Sequence, residues 1–129
     1  MLLHELEVVL MLQEPDKQLS HEKLIVYQVS IKFFAASVAI IRNIPKGNAD
    51  LVDQFRRAST SIPFNIAEGA GKRSRPDTAR YFSIALGSAL ECGAILDVCN
   101  ILKVSKHEEI QSAKDQLYEI VCMLSKMCR

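Results

Sequence analysis

Ser61-Ile62-Pro63-Phe64-Asn65-Ile66-Ala67-Glu68-Gly69-Ala70-Gly71-Lys72-Arg73-Ser74 is the stretch that decides how this chain folds. Ile62, Ile66 and Ala70 continue an apolar series from Leu51, Val52, Phe55 and Ala58 at helical spacing, so one helix is expected over 49–70. Pro63 lies inside it, where a missing N–H removes a backbone bond and usually bends the axis. Ser59, Thr60 and Ser61 are placed to satisfy the groups that Pro63 frees. Gly69 and Gly71 loosen or end the helix, and Pro76 with Asp77 opens another. With only a short turn between them, the two helices must run back antiparallel, side by side.

Working outward, the downstream helix runs from Pro76 to Val104 and is apolar on two sides. One stripe is Phe82, Ala85, Ala89, Cys92, Leu96 and Cys99; the other is Tyr81, Ile84, Ile95, Val98 and Leu102. Gly87 and Gly93 interrupt its middle, each costing about 1 kcal/mol relative to alanine, and close approach of a neighbouring helix is the expected compensation. Glu91 projects among these small residues; it is either exposed or buried with a partner. Upstream, Ser20 is placed to cap a helix that Pro45 ends. Leu24, Tyr27, Ile31, Phe34, Val38 and Ile41 form one stripe of it, and Val26, Val29, Phe33, Ala36 and Ile40 a second on nearly the opposite side. A last helix over 106–126 carries the single stripe Ile110, Ala113, Leu117, Ile120, Leu124 and Met127, with a polar outer side.

Four long helices joined by short turns define an all-α fold, an antiparallel up-down four-helix bundle occupying residues 19–129. Residues 1–18 stand apart as an N-terminal extension, where Leu2, Leu3, Leu6, Val9 and Leu10 suit a short amphipathic helix before Pro15 and Asp16. A single copy buries one stripe of a helix in its core; the second stripes of the two doubly apolar helices call for a subunit interface or a central position.

Composition narrows the function. The 129 residues carry a net charge of +1, so no global field draws the chain to nucleic acid or anionic lipid. Positive charge is nevertheless clustered: Arg42, Lys46, Arg56, Arg57, Lys72, Arg73, Arg75 and Arg80 all fall within residues 42–80. Arginine's planar fork suits phosphate oxygens. Cys92, Cys99, Cys122 and Cys128 lack metal-ligand spacing and read as reduced core thiols, of which Cys92 and Cys99 share one apolar face. Met1 to Leu12 has no secretory pattern, and the uncharged stretch from Phe33 to Ile41 is too short to cross a bilayer, so a soluble, cytoplasmic chain without a membrane partner is expected. His4, His21 and His107 are scattered, and none follows an arginine at the gap of helical RNA nucleases. Gly69-x-Gly71-Lys72 lacks a preceding strand and the spacing of a phosphate loop, so the glycines read as a helix exit. No catalytic residue, cofactor or metal site is expected.

The motifs Leu24-x-Val26-Tyr27-Gln28-x-Ser30, Pro45-Lys46, Gln54-x-Arg56-Arg57-Ala58, Ser61-Ile62-Pro63-x-Asn65-Ile66-Ala67-Glu68-Gly69-x-Gly71-Lys72-x-Ser74 and Asp77-x-x-Arg80-Tyr81-Phe82-x-Ile84-Ala85-x-Gly87-Ser88-Ala89-x-Glu91 occur in order along the chain. Together they resemble the proteins encoded by intervening sequences within 23S ribosomal RNA genes, and their relatives, the accessory variability proteins of diversity-generating retroelements. The resemblance implies a ring-shaped homopentamer of four-helix bundles; in the retroelement members a basic surface binds nucleic acid and the ring docks a reverse transcriptase. The expectation is therefore a non-catalytic oligomeric scaffold binding RNA or RNA/DNA. Arg56, Arg57, Lys72, Arg73, Arg75 and Arg80 would contact phosphate, while Asn65 and Glu68 hold the helix junction. The alternative is a protein–protein adaptor that recruits a reverse transcriptase or another enzyme with little nucleic-acid contact.

Overall fold

The computed structural model describes residues 3–11 and 17–129. Helix α1 spans Leu3–Met11, a 3-10 turn spans Ser20–Lys23, and four long helices follow: α2 Ile25–Arg42, α3 Ala49–Ala70, α4 Arg75–Leu102 and α5 His107–Met127. Among the described residues the fold is all-α, as expected. Each long helix packs on two others, in the cyclic order α2, α3, α4, α5, and α1 packs on α2. Between α3 and α4 the contacts Gln54–Glu91, Ser61–Ser88 and Gly69–Thr78 descend one helix as they climb the other, so the pair is antiparallel.

The core is drawn from one stripe per helix. In α2 it is Val26, Val29, Phe33, Ala36 and Ile40; in α3, Phe55, Ala58, Ile62 and Ile66. In α4 it is Phe82, Ala85, Ala89, Cys92, Leu96 and Cys99, and in α5, Ile110, Ala113, Leu117, Ile120 and Leu124. Full burial of a large apolar side chain is worth about 1.5–3 kcal/mol, so these stripes fix which way each helix faces. Glu91 is exposed and accepts a 2.6 Å hydrogen bond from Gln54 Nε2, which settles its two readings.

Several expectations shift. Ser20 does not cap the long helix; it opens the 3-10 turn, and α2 begins at Ile25 after an extended Leu24. There Glu22 accepts from the Leu19 N–H at 3.0 Å, and the Gln28 amide donates to the Glu22 carbonyl at 2.9 Å, so local polar bonds outcompete an earlier helix start. Helix α4 ends at Leu102, because Lys103 turns left-handed at φ 55° and tucks Val104 into the core. Across Pro63 helix α3 stays continuous. The Ser59 and Thr60 hydroxyls bond the Arg56 and Arg57 carbonyls, a turn upstream of the group that Pro63 frees.

The close helix approach expected at Gly87 and Gly93 lies elsewhere. Nothing comes within 4 Å of a Cβ added at either, whereas one added to Gly69 would sit 2.7 Å from the Phe82 ring. The second stripes also divide unequally. In α2, Ile41 is buried and Tyr27, Ile31, Phe34 and Val38 are half-buried, as is Leu24 just before the helix. In α4, Ile95 is buried but Ile84, Val98 and Leu102 are exposed, and Leu90 and Ile101, at 59% and 81%, are more exposed still. Cys92 and Cys99 are core thiols, but Cys122 is exposed and Cys128 half-buried.

Helices α2 and α4 are each long and apolar enough to cross a membrane by length and composition, which the uncharged stretch alone did not reveal. Half of that window in α2 is buried inside the helical body, and 39% in α4. The core therefore accounts for much of the apolarity of α2 and leaves a face of α4 unexplained. In α1, Leu3 is 73% exposed while Glu5, at 7%, accepts from the Gln116 amide at 3.2 Å, the reverse of a simple amphipathic docking. Leu2, Pro15 and Asp16 lie outside the described residues, and the side chains of Val9 and Leu10 are not described.

Candidate nucleic-acid interface

The turn over 71–74 is the device that gathers charge. Gly71 follows the last helical residue at φ −90°, and its N–H bonds the Glu68 carbonyl at 3.1 Å. Three residues later the Ser74 hydroxyl accepts from the Asp77 N–H at 3.3 Å and caps α4. A helix exit and a helix entrance so close together leave Lys72, Arg73 and Arg75 at one corner, all exposed. Arg80 joins them from the second turn of α4, its guanidinium 4.6 Å from the centre of the Tyr81 ring. Lys72 Nζ lies 5.0 Å from the same ring. Tyr81 is thus a half-buried plate held by two cations, a contact worth about 0.5–1 kcal/mol at an exposed site.

Arg56 and Arg57 do not join this corner. Thirteen residues of α3 separate Arg57 from Ala70, where the corner begins, about 20 Å at 1.5 Å per residue. They also diverge from each other by about 100° around α3. Arg57 borders a small hollow with Gln54, Ser61, Ser88 and Glu91, on the side facing α4. The six expected cations therefore form one cluster of four and a separate pair.

The ion pairs among the described residues are Lys72 with Glu68 at 3.4 Å and Lys114 with Asp97. Arg56, Arg57, Arg73, Arg75 and Arg80 are exposed and have no carboxylate partner there. Arg42 and Arg129 are likewise exposed without such a partner, so what distinguishes the corner is that four cations meet there.

Polar residues around the corner are committed to structure. The Asn65 amide donates to the Ser61 carbonyl at 2.8 Å and to its hydroxyl at 3.0 Å, and Ser88 donates to that same hydroxyl at 2.7 Å, tying α3 to α4. Thr78 donates to the Gly69 carbonyl at 3.0 Å, holding the first turn of α4 against the end of α3. Glu68 remains exposed and reaches only Lys72. Sequence reasoning missed Phe64, which stands 66% exposed on α3. Its position two residues from both Ile62 and Ile66 puts it opposite the core stripe, and that phase was the available signal.

No group of three or more His, Cys, Asp or Glu among the described residues has metal-binding geometry. Burial, with Glu91 adding to it, pushes the Cys92 thiol up to about 12, and burial also raises Cys99. Neither thiol is a nucleophile near neutral pH.

The described residues form an all-α protein with an exposed cationic corner. The chain belongs to the family described as 23S rRNA-intervening sequence protein, whose match covers residues 22–126. It is also similar to a crystal structure, at 1.70 Å resolution, of a protein of unknown function from the S23 ribosomal protein family of Bacteroides thetaiotaomicron. That similarity has a TM-score of 0.74 and 24% identity, and covers 81% of this chain and 99% of the other, so it speaks to the fold alone. Comparison with curated proteins gives no match.

Proposed function

We propose that this protein is a cytoplasmic, non-catalytic, oligomeric scaffold that binds RNA or RNA/DNA through phosphate contacts from Lys72, Arg73, Arg75 and Arg80. Arg56 and Arg57 form a second, smaller contact further along α3. The observation that carries this function is the gathering of four exposed cations, Lys72, Arg73, Arg75 and Arg80, at one corner of a chain of net charge +1, the three arginines having no carboxylate partner among the described residues. Guanidinium groups left open in this way are matched by the paired oxygens of phosphate. Membership of a family described by an intervening sequence in 23S rRNA supports the same direction.

The scaffold is proposed to be a ring-shaped homopentamer of four-helix bundles, as the resemblance implies. The exposed face of α4 supports self-association: Leu90, Val98 and Ile101 surround Ala94, and Gly87 opens a notch with nothing near it. The adaptor function, recruitment of a reverse transcriptase or another enzyme, draws on that same apolar face, which suits a protein partner as well as a second copy. The retroelement connection rests on the sequence motifs.

The test is binding of a labelled structured RNA, followed by anisotropy across a salt series. Phosphate contacts release counterions, so log affinity should fall linearly with log salt, by about 0.7–0.9 per contact. Charge reversal at Arg73 and Arg75 together should flatten that slope by about two contacts. Affinity that does not respond to salt would remove the proposal and leave the adaptor.

A further inference from the structure

We propose that the α3 surface beside the cationic corner holds a subsite for one unpaired nucleobase, with guanine as the best fit. This rests on the phosphate-binding function above and adds a base contact to it. The subsite is the open depression lined by His21, Phe64, Ala67, Glu68, Gly71 and Lys72.

Three observations converge there. First, Phe64 forgoes the burial that every core phenylalanine of α3 and α4 obtains, and it is surrounded by small neighbours. Thr60, Ser61 and Ala67 flank it on the helix surface at spacings of three and four, with Glu68 the one long side chain at four, so its exposed ring has room for a planar partner. Second, the fold does not require glycine at 71. Its backbone is right-handed at φ −90°, and a Cβ there would meet only backbone oxygens at 3.6 and 3.9 Å. What glycine provides instead is the absence of a side chain in the depression that Phe64 and Lys72 also line. Third, the hydrogen-bonding groups on the rim have complementary signs for a nucleotide. Arg73 and, once its 3.4 Å ion pair with Glu68 opens, Lys72 offer donors for its phosphate, and the exposed Glu68 carboxylate so released offers two acceptors for its base.

That acceptor pair selects among bases. On its pairing edge guanine carries two neighbouring donors, N1–H and the N2 amine, which a carboxylate accepts together. Cytosine and adenine offer an amine next to an acceptor, and uracil a single N–H between two carbonyls. A base already paired in a duplex has that edge occupied and its faces stacked, so the subsite requires an unpaired nucleotide. Stacking on an aromatic ring tolerates any base, and it is Glu68 that supplies the preference.

The chain contains no tryptophan, so Phe64→Trp installs a single fluorescent reporter in the subsite. The probes are short uridine strands with one central guanosine, inosine (which lacks the N2 amine) or abasic site, and a blunt RNA duplex. The guanosine strand is expected to quench the tryptophan to saturation. The inosine strand should bind about threefold to tenfold more weakly, and the duplex should bind without quenching. Phe64→Ser should weaken the guanosine strand about tenfold while leaving its salt slope unchanged, because the phosphate contacts remain. Glu68→Gln should abolish the preference for guanosine over inosine.

If the strands bind by anisotropy with normal salt dependence, yet tryptophan is unquenched and Phe64→Ser is silent, the base subsite is wrong and the phosphate function stands. If no strand binds even at low salt, both fall. A tryptophan signal that responds to protein concentration but not to RNA would place Phe64 in a contact between copies and overturn the subsite.

Discussion

At the scale of single residues, Gly69 is the glycine whose place in the fold is most tightly bounded. A methyl group there would lie 2.7 and 2.8 Å from two atoms of the buried Phe82 ring and 3.2 Å from Tyr81 Cβ. The ring cannot swing away, since Phe82 is itself only 4% exposed. Gly69→Ala should therefore destabilise the protein by about 1–2 kcal/mol despite alanine's better helix propensity, read as a lower thermal midpoint. Phe82→Leu in the same chain should recover part of the loss, a coupling that a double-mutant cycle measures. Cys92 makes a second prediction. Its thiol is raised from the ordinary 9.0 to about 12, first by burial and then by Glu91. Between those values the folded chain holds a proton that the unfolded chain has released, so stability falls as pH rises through that window. The slope is at most about 1.4 kcal/mol per pH unit for one thiol. Cys92→Ala should reduce the alkaline loss of stability in denaturant titrations at a series of pH values.

At the scale of helices, the core was legible in the sequence and the outer faces were not. The α4 stripe from Phe82 to Cys99 and the α5 stripe from Ile110 to Leu124 are buried as their spacing predicts, because period 3.6 reports which residues share a face. Period cannot say which of two apolar faces turns inward. In α4 the more exposed residues, Leu90 and Ile101, belong to neither expected stripe. Nor could it show that Gly87 and Gly93 face open space while Gly69 bears the close contact, since that depends on where α3 crosses. For the candidate site, clustering in sequence picks out the six cations as candidates and cannot say which of them meet. Their separation into four and two follows from helix rise, and the missed Phe64 follows from helical phase. Ile101, 81% exposed, is the sharpest probe of the uncovered face. Ile101→Lys breaks no core contact, so its monomer should keep its helicity and thermal midpoint. If the α4 face joins copies, a buried lysine charge there should dissociate the assembly, seen as a fall in mass by light scattering.

At the scale of the molecule, assembly and charge become one question. A net charge of +1 gives a single copy little long-range attraction, and four clustered cations partly offset by Glu68 and Asp77 make a weak isolated site. In the proposed ring, repeating that corner by symmetry would change the outcome without any new contact. With one copy holding an RNA, the next corner would meet the same strand at high effective concentration, and avidity can exceed a single affinity by about 10²–10⁴. The Ile101→Lys chain keeps Lys72, Arg73, Arg75 and Arg80 unchanged, so each corner should retain its own phosphate contacts. Its affinity for a long structured RNA should nevertheless fall by at least about tenfold, and its salt slope should shrink towards that of one corner. A strand too short to span two corners should bind the assembled and dissociated forms equally. Equal affinity of both forms for the long RNA would show that each copy acts alone, and the α4 face would then serve a partner other than a second copy.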